Sequence, residues 1–311
     1  MKQENYISLF FKGAAMGAAD VVPGVSGGTI AFISGIYEKL IESISSVNIE
    51  ALKLLTSFKF KELWEHVNGT FLLTLFAGIG FSILTLSRVF LYLLQNHPIL
   101  LWSFFFGLII GSVFLIFPQI TKWTVPVVIS GVAGIVIATY ITTATPGQTP
   151  EAYWFIFLAG SIAICAMILP GISGSFILLI LAKYEFILDA ISSVNIPVIL
   201  VFMAGAVTGL LSFSKFLKYL LSNYHNITVA LLTGFMIGSL NKVWPWKNTL
   251  AWYTDRKGEE KPMIQENVSP FTYAELTGQE HFLIGAIALA IIGFVAVYTL
   301  GALSMKKEAN V

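Results

Sequence analysis

The sequence predicts an all-α polytopic membrane protein arranged as an inverted-topology repeat, each half a re-entrant helical hairpin plus three transmembrane helices. Three observations lead there: apolar segments of membrane-spanning length, a hexapeptide written twice, and an odd number of crossings per copy. Only 11% of the 311 residues are charged, 56% are hydrophobic, and mean hydropathy is +0.81. A soluble domain carries about 25% charged residues, so this chain lacks the charge for a water-facing exterior. Several segments stay apolar for 18 or more residues, enough to cross a hydrocarbon core about 30 Å thick.

The rest of the composition is mostly exclusion. Cys165 is the single cysteine, so no intrachain disulfide forms. His66, His97, His225 and His281 show no metal-ligand spacing, and neither a metal nor a cofactor is expected. Lys12 interrupts the first apolar run, so the N-terminal segment reads as mature sequence. No nucleic-acid partner is expected, and a homo-oligomer is compatible with the sequence without being specified by it.

The duplication is direct. Residues 13–49 align without gaps on 160–196, and 16 of the 37 positions match. "VPGVSG" (22–27) falls on "LPGISG" (169–174), Tyr37–Glu38 on Tyr184–Glu185, and "ISSVNI" on itself. A second block, 76–112, aligns on 203–239 and sets Arg88 on Lys215. The offset changes because the first copy carries a charged, amphipathic connector at 50–69. The copies occupy 1–150 and 151–311.

Each copy opens with two apolar arms around the PGxSG break, 6–21 and 26–43 in the first, 153–169 and 173–191 in the second. Each arm is shorter than the roughly 20 residues of a full span. Proline removes a backbone donor and glycine permits a sharp turn. Hairpins over 6–43 and 153–191 with tips near the midplane follow, two kinked spans per break being the alternative. Spans are expected at 70–94, 99–118 and 125–143, then at 198–221, 227–244 and 281–303, with an external loop at 245–280. A hairpin returns to its own side and three spans do not, so the second copy starts on the opposite face. Eleven of the 18 basic residues then share a side with the N-terminus. That side is the cytoplasm, with both termini inside a cytoplasmic (inner) membrane.

The breaks look like ligand sites. A helix starting after PGxSG would have Ser26 or Ser173 as its N-cap, and its first amides would lack helical partners. Within a membrane such groups need a cavity, a neighbour or a ligand. Two helix starts converging from opposite faces suit an anion. The candidates are Gly24, Ser26, Gly27, Gly28 and Thr29 in the first copy, and Gly171, Ser173, Gly174 and Ser175 in the second. Arg88 and Lys215 are expected within reach of the tips, snorkelling to the headgroups being their alternative role. Asp20, whose counterpart is Met167, would repel a bound anion unless protonated, which suggests proton coupling; bonding its own turn is the bland reading. Glu38 and Glu185 are candidates for gating or for interface anchoring.

At these residues a family is evident. "MGAADVVPGVSGGTIAFISGIYE", with the second "LPGISG", resembles the PopT-type polyprenyl-phosphate transporters, formerly a membrane domain of unknown function. The resemblance covers essentially the whole chain. It implies recycling of undecaprenyl phosphate, the lipid carrier of cell-wall precursors, from the outer to the inner leaflet, with polyprenyl phosphate as the partner. Two other readings remain at this point. One is a small-anion channel or exchanger. The other is an undecaprenyl-pyrophosphate phosphatase of the BacA type, whose motif carries an arginine where "PGVSGG" has glycine; no acidic cluster stands beside it for phosphoryl transfer.

Overall fold

The computed structural model describes residues 5–21, 26–144, 149–254 and 260–309. The first copy forms α1 (Tyr6–Val21), α2 (Gly27–Ile33), α3 (Tyr37–Ser45), α4 (Ile49–Thr56), α5 (Phe60–His66), α6 (Gly69–Asn96), α7 (Pro98–Ile116), a 3-10 turn at Phe117–Gln119, and α8 (Val125–Thr143). The second forms α9 (Tyr153–Ile168), α10 (Gly174–Ile180), α11 (Tyr184–Ser192), α12 (Ile196–Asn223), α13 (His225–Ser239), strands β1 (Lys247–Thr254) and β2 (Glu260–Asn267), α14 (Pro270–Thr277) and α15 (Leu283–Ala309). The duplicated sequence makes duplicated elements. α1 and α9 both have 16 residues, α2 and α10 7, α3 and α11 9, and α6 and α12 28.

Packing follows the duplication too. α1 lies on α6 as α9 lies on α12, while the later helices exchange partners between copies: α7 packs on α15 and α8 on α13. Small residues make each seam, as expected where lipid gives apolar faces no drive to associate and close van der Waals approach decides. Gly134 and Gly234 face each other between α8 and α13, and Gly107 sits against the Ala290 carbonyl between α7 and α15. The main core joins both copies, running from Leu9 and Met16 through Ile109 to Leu232 and Met236.

The structure corrects three sequence expectations. First, the arms at 26–43 and 173–191 are not continuous helices. α2 and α10 each end in a Schellman turn: Ile36 N–H donates to the Ala31 carbonyl (3.1 Å) and Gly35 N–H to Phe32 (3.2 Å). In the second copy Lys183 donates to Leu178 (2.8 Å) and Ala182 to Leu179 (2.9 Å). The matched positions Gly35 and Ala182 adopt left-handed φ of 72° and 50°. Ala182 does so without glycine's freedom, which is why composition alone hides the second break.

Second, the span expected at 227–244 ends at Ser239. Lys242 and Val243 N–H both turn back onto the Ser239 carbonyl, at 2.9 and 3.3 Å, and Pro245 cannot continue the helix. Among the described residues four helices are long and apolar enough to cross a membrane: α6, α7 with its 3-10 turn, α8 and α12. The apolar part of α15, Leu283–Thr299, is shorter.

Third, the described residues of the segment 245–280 form secondary structure. β1 and β2 pair antiparallel, Lys247 opposite Asn267 and Thr254 opposite Glu260. Trp244 Nε1 donates to the Val268 carbonyl (2.9 Å) and Trp246 Nε1 to the His281 carbonyl (2.8 Å), tying this unit to the chain just before α15. Leu250 and Trp252 stay exposed, so β1 lacks the apolar-polar alternation that marks a half-buried strand.

Candidate functional site

The two breaks meet, and polar groups of the first copy cap the end of a helix in the second. α9 ends at Ile168, leaving carbonyls at its C-terminus without helical partners. Ser26, 1% exposed, points its Oγ at the carbonyls of Met167 (3.1 Å) and Leu169 (3.2 Å). Tyr37 OH, from the start of α3, donates to the carbonyl between them, Ile168, at 3.2 Å. In return Gly171 N–H donates to Thr29 Oγ1 at 2.9 Å. Gly28 is the point of closest approach: a methyl there would lie 2.4 Å from the Ile168 carbonyl oxygen.

The start of α2 is satisfied within the chain. Gly27 N–H donates to Asp20 Oδ1 at 2.7 Å, Gly28 N–H to Ser26 Oγ at 3.0 Å, and Thr29 N–H to the Ser26 carbonyl at 2.9 Å. A carboxylate thus sits where an anion was expected, bonded to a helix start that favours negative charge. The start of α10 differs. Met167 replaces Asp20, Ser173 makes no side-chain cap, and its Oγ lies 2.8 Å from Ser175 Oγ. Among the described residues, no acceptor meets the N–H of Gly174 or Ser175.

The remaining predicted residues scatter. Gly24 lies outside the described residues. Arg88 is exposed on α6, and among the described residues no hydrogen bond or ion pair joins it or Lys215 to either break. Lys215 instead lines a polar cleft of about 630 Å³ with Glu42, His66, Lys218 and Tyr219, where Lys218 Nζ reaches Glu42 Oε1 at 3.3 Å. Glu38 pairs with His225 Nε2 at 3.3 Å, and Glu185 has a buried Oε1 with no hydrogen-bond partner among the described residues. No group of residues that could hold a metal occurs among the described residues.

Three functional-looking residues escaped the sequence reading. Tyr37 is 1% exposed, whereas its counterpart Tyr184 is 37% exposed. The matched Tyr-Glu pairs mark the position but not the asymmetry. Lys242 fell at the end of the expected span 227–244 and Lys247 in the expected loop 245–280, yet Lys242 Nζ lies 4.4 Å over the ring of Phe176 in the first turn of α10. Lys247 Nζ lies 4.5 Å over Trp102 and donates to the Lys242 carbonyl. Only the turn after Ser239 brings them to the break.

A family model described as undecaprenyl phosphate translocase-like matches residues 16–261. A polyprenyl-phosphate transporter of Vibrio cholerae is 47% identical over 290 residues, covering 93% of this chain and 94% of its own. A polyprenyl-phosphate transporter of Staphylococcus aureus is 35% identical over 273 residues, covering 81% of this chain and 92% of its own. No solved structure matches the chain. The match to the family model and to two relatives along nearly their whole length leads to one conclusion: the chain belongs to the undecaprenyl phosphate translocase-like family.

Proposed function

We propose that this multi-pass membrane protein carries undecaprenyl phosphate from the outer to the inner leaflet, passing its phosphate across the contact between the two PGxSG breaks while the polyprenyl tail stays in lipid. The protein is a transporter, not an enzyme. The observation that carries the route is the Asp20–Gly27 hydrogen bond together with the N–H groups of Gly174 and Ser175, which meet no acceptor among the described residues. One helix start already holds an anionic oxygen, and the other is built to accept one. Ser26, Gly27, Gly28, Thr29, Gly171, Ser173, Gly174 and Ser175 then form the midpoint of the path.

The two breaks are the tips of re-entrant hairpins entering from opposite faces, with both termini cytoplasmic. Supporting this are the matched element lengths and the reciprocal exchange of α7–α15 with α8–α13, together with the lysine distribution. Asp20 couples transport to protons: a phosphate reaching Gly27 competes with the carboxylate for the same N–H, and protonation frees it. Lys215 and its cleft serve release on the cytoplasmic side, and Arg88 faces the other side.

The test is a leaflet-resolved assay with fluorescent polyprenyl phosphate in proteoliposomes, with phosphate release measured alongside. Accelerated flipping without phosphate release is expected. Release of inorganic phosphate would make the protein a phosphatase, and no acceleration in a sealed, correctly inserted preparation would refute the transport reading.

A further inference from the structure

We propose that Lys242 and Lys247 form a phosphate-receiving site beside the second break, taking the phosphomonoester head of a polyprenyl phosphate before it reaches the contact between the breaks. This rests on the lipid-phosphate reading above and names the residues that would meet the headgroup first.

Lys242 and Lys247 are linked across one turn, and among the described residues no carboxylate holds either ammonium group. Lys242 Nζ is set on the Phe176 ring at 4.4 Å, Lys247 Nζ on the Trp102 ring at 4.5 Å, and Lys247 also donates to the Lys242 carbonyl. Among the described residues neither forms an ion pair, whereas Lys59 and Lys218 are matched with Glu62 and Glu42. Aromatic faces stabilise a cation only modestly, and two half-buried cations side by side repel each other. A phosphate with up to two negative charges removes that repulsion and supplies acceptors for several N–H donors.

The frame around the lysines is rigid. Asn267 Nδ2 donates to the Asn241 carbonyl and side-chain oxygens, both at 2.8 Å, and the Trp244 and Trp246 indoles are tied to Val268 and His281. The turn is therefore preorganised, so little ordering cost falls on binding. Its position is also right, because Phe176 follows Ser175, whose hydroxyl lies 2.8 Å from that of Ser173. Desolvation lowers both ammonium groups, and the nearby Lys242 lowers Lys247 further, to about 7. An anion placed between them would restore their charge.

The test uses the full chain in phosphatidylcholine nanodiscs with farnesyl phosphate as the probe, and farnesol and inorganic phosphate as separate arms. Wild type should bind farnesyl phosphate well above either arm. Lys242→Gln is the cleaner variant, because the Lys242 ammonium makes no hydrogen bond to the protein among the described residues. It should weaken farnesyl phosphate binding about tenfold, the worth of one charge-assisted contact. Lys242→Arg should stay within a few-fold of wild type, and the thermal midpoint without ligand should not fall for either, since Lys242→Gln relieves the repulsion on Lys247. Lys242→Gln/Lys247→Gln should lose more. Wild-type affinity in the double variant would overturn the lysine site while leaving the transport reading standing. Equal binding of farnesol, or inorganic phosphate binding as tightly as the lipid, would overturn both.

Discussion

Asp20 Oδ1 accepts a hydrogen bond from Gly27 N–H at 2.7 Å, so the carboxylate that ends α1 closes the start of α2 across the PGxSG break. The second copy has Met167 in that place. The duplicated motif is therefore charged on one side only, and this asymmetry gives the sharpest test of mechanism.

Asp20→Asn retains an oxygen that can accept from Gly27 N–H but loses the charge. Lipid-phosphate binding should persist in the variant and depend less on pH. Acceleration of flipping by an inward proton gradient should disappear. The measurement is the flip rate in proteoliposomes with and without an imposed pH difference. An identical response of wild type and variant would confine Asp20 to the turn.

Ser26→Ala removes the hydroxyl that bonds Gly28 N–H and faces the Met167 and Leu169 carbonyls. Leaving such buried groups unmet costs about 1–3 kcal/mol. Tyr37→Phe uncaps only the Ile168 carbonyl and should cost less. Chemical denaturation in detergent should rank Ser26→Ala below Tyr37→Phe in stability. The reverse order would mean that the serine is not what holds the breaks together.

Lys247 makes stability depend on pH with a defined sign. Burial, and then Lys242, bring its ammonium from 10.5 to about 7. Between these values the unfolded chain binds a proton that the folded chain has released, so stability rises with pH from about 7 toward 10.5. Lys242 is lowered as well, α7 presents the Trp102 ring, and β2 places Asn267 opposite, with Glu266 engaged by Asn248. In Lys247→Met the rise in thermal midpoint over this window should shrink. Parallel wild-type and variant curves would contradict the burial of the charge.

Val47 and Val194 occupy matched positions of the two copies, 40% and 65% exposed. In a Cys165→Ala background, Val47→Cys should react with a membrane-impermeant maleimide only from the cytoplasmic side and Val194→Cys only from outside. Labelling of both from one side would refute the inverted arrangement.

Much of this protein is legible in its sequence because the relevant physics is local or repetitive. Apolar length predicts α6, α7, α8 and α12 without reference to neighbours. Proline and glycine mark where α1 and α9 stop, since they act on their own backbone. A duplication announces itself by identity at an offset that holds within each aligned block, and the element lengths repeat accordingly. Tertiary structure decided the rest. Nothing in the order of residues says that Ser26 and Tyr37 cap carbonyls more than 130 positions away, because hydrogen bonds between copies depend on how two helix ends are brought together. The left-handed turn at Ala182 and the early end of α13 are set by backbone bonds that several residue types could make. In sequence Lys242 reads as the end of a span and Lys247 as an ordinary loop lysine. They stand beside the second break because the turn after Ser239 and two tryptophan indoles fold them onto aromatic rings, and only packing brings like charges together where an anion can join them.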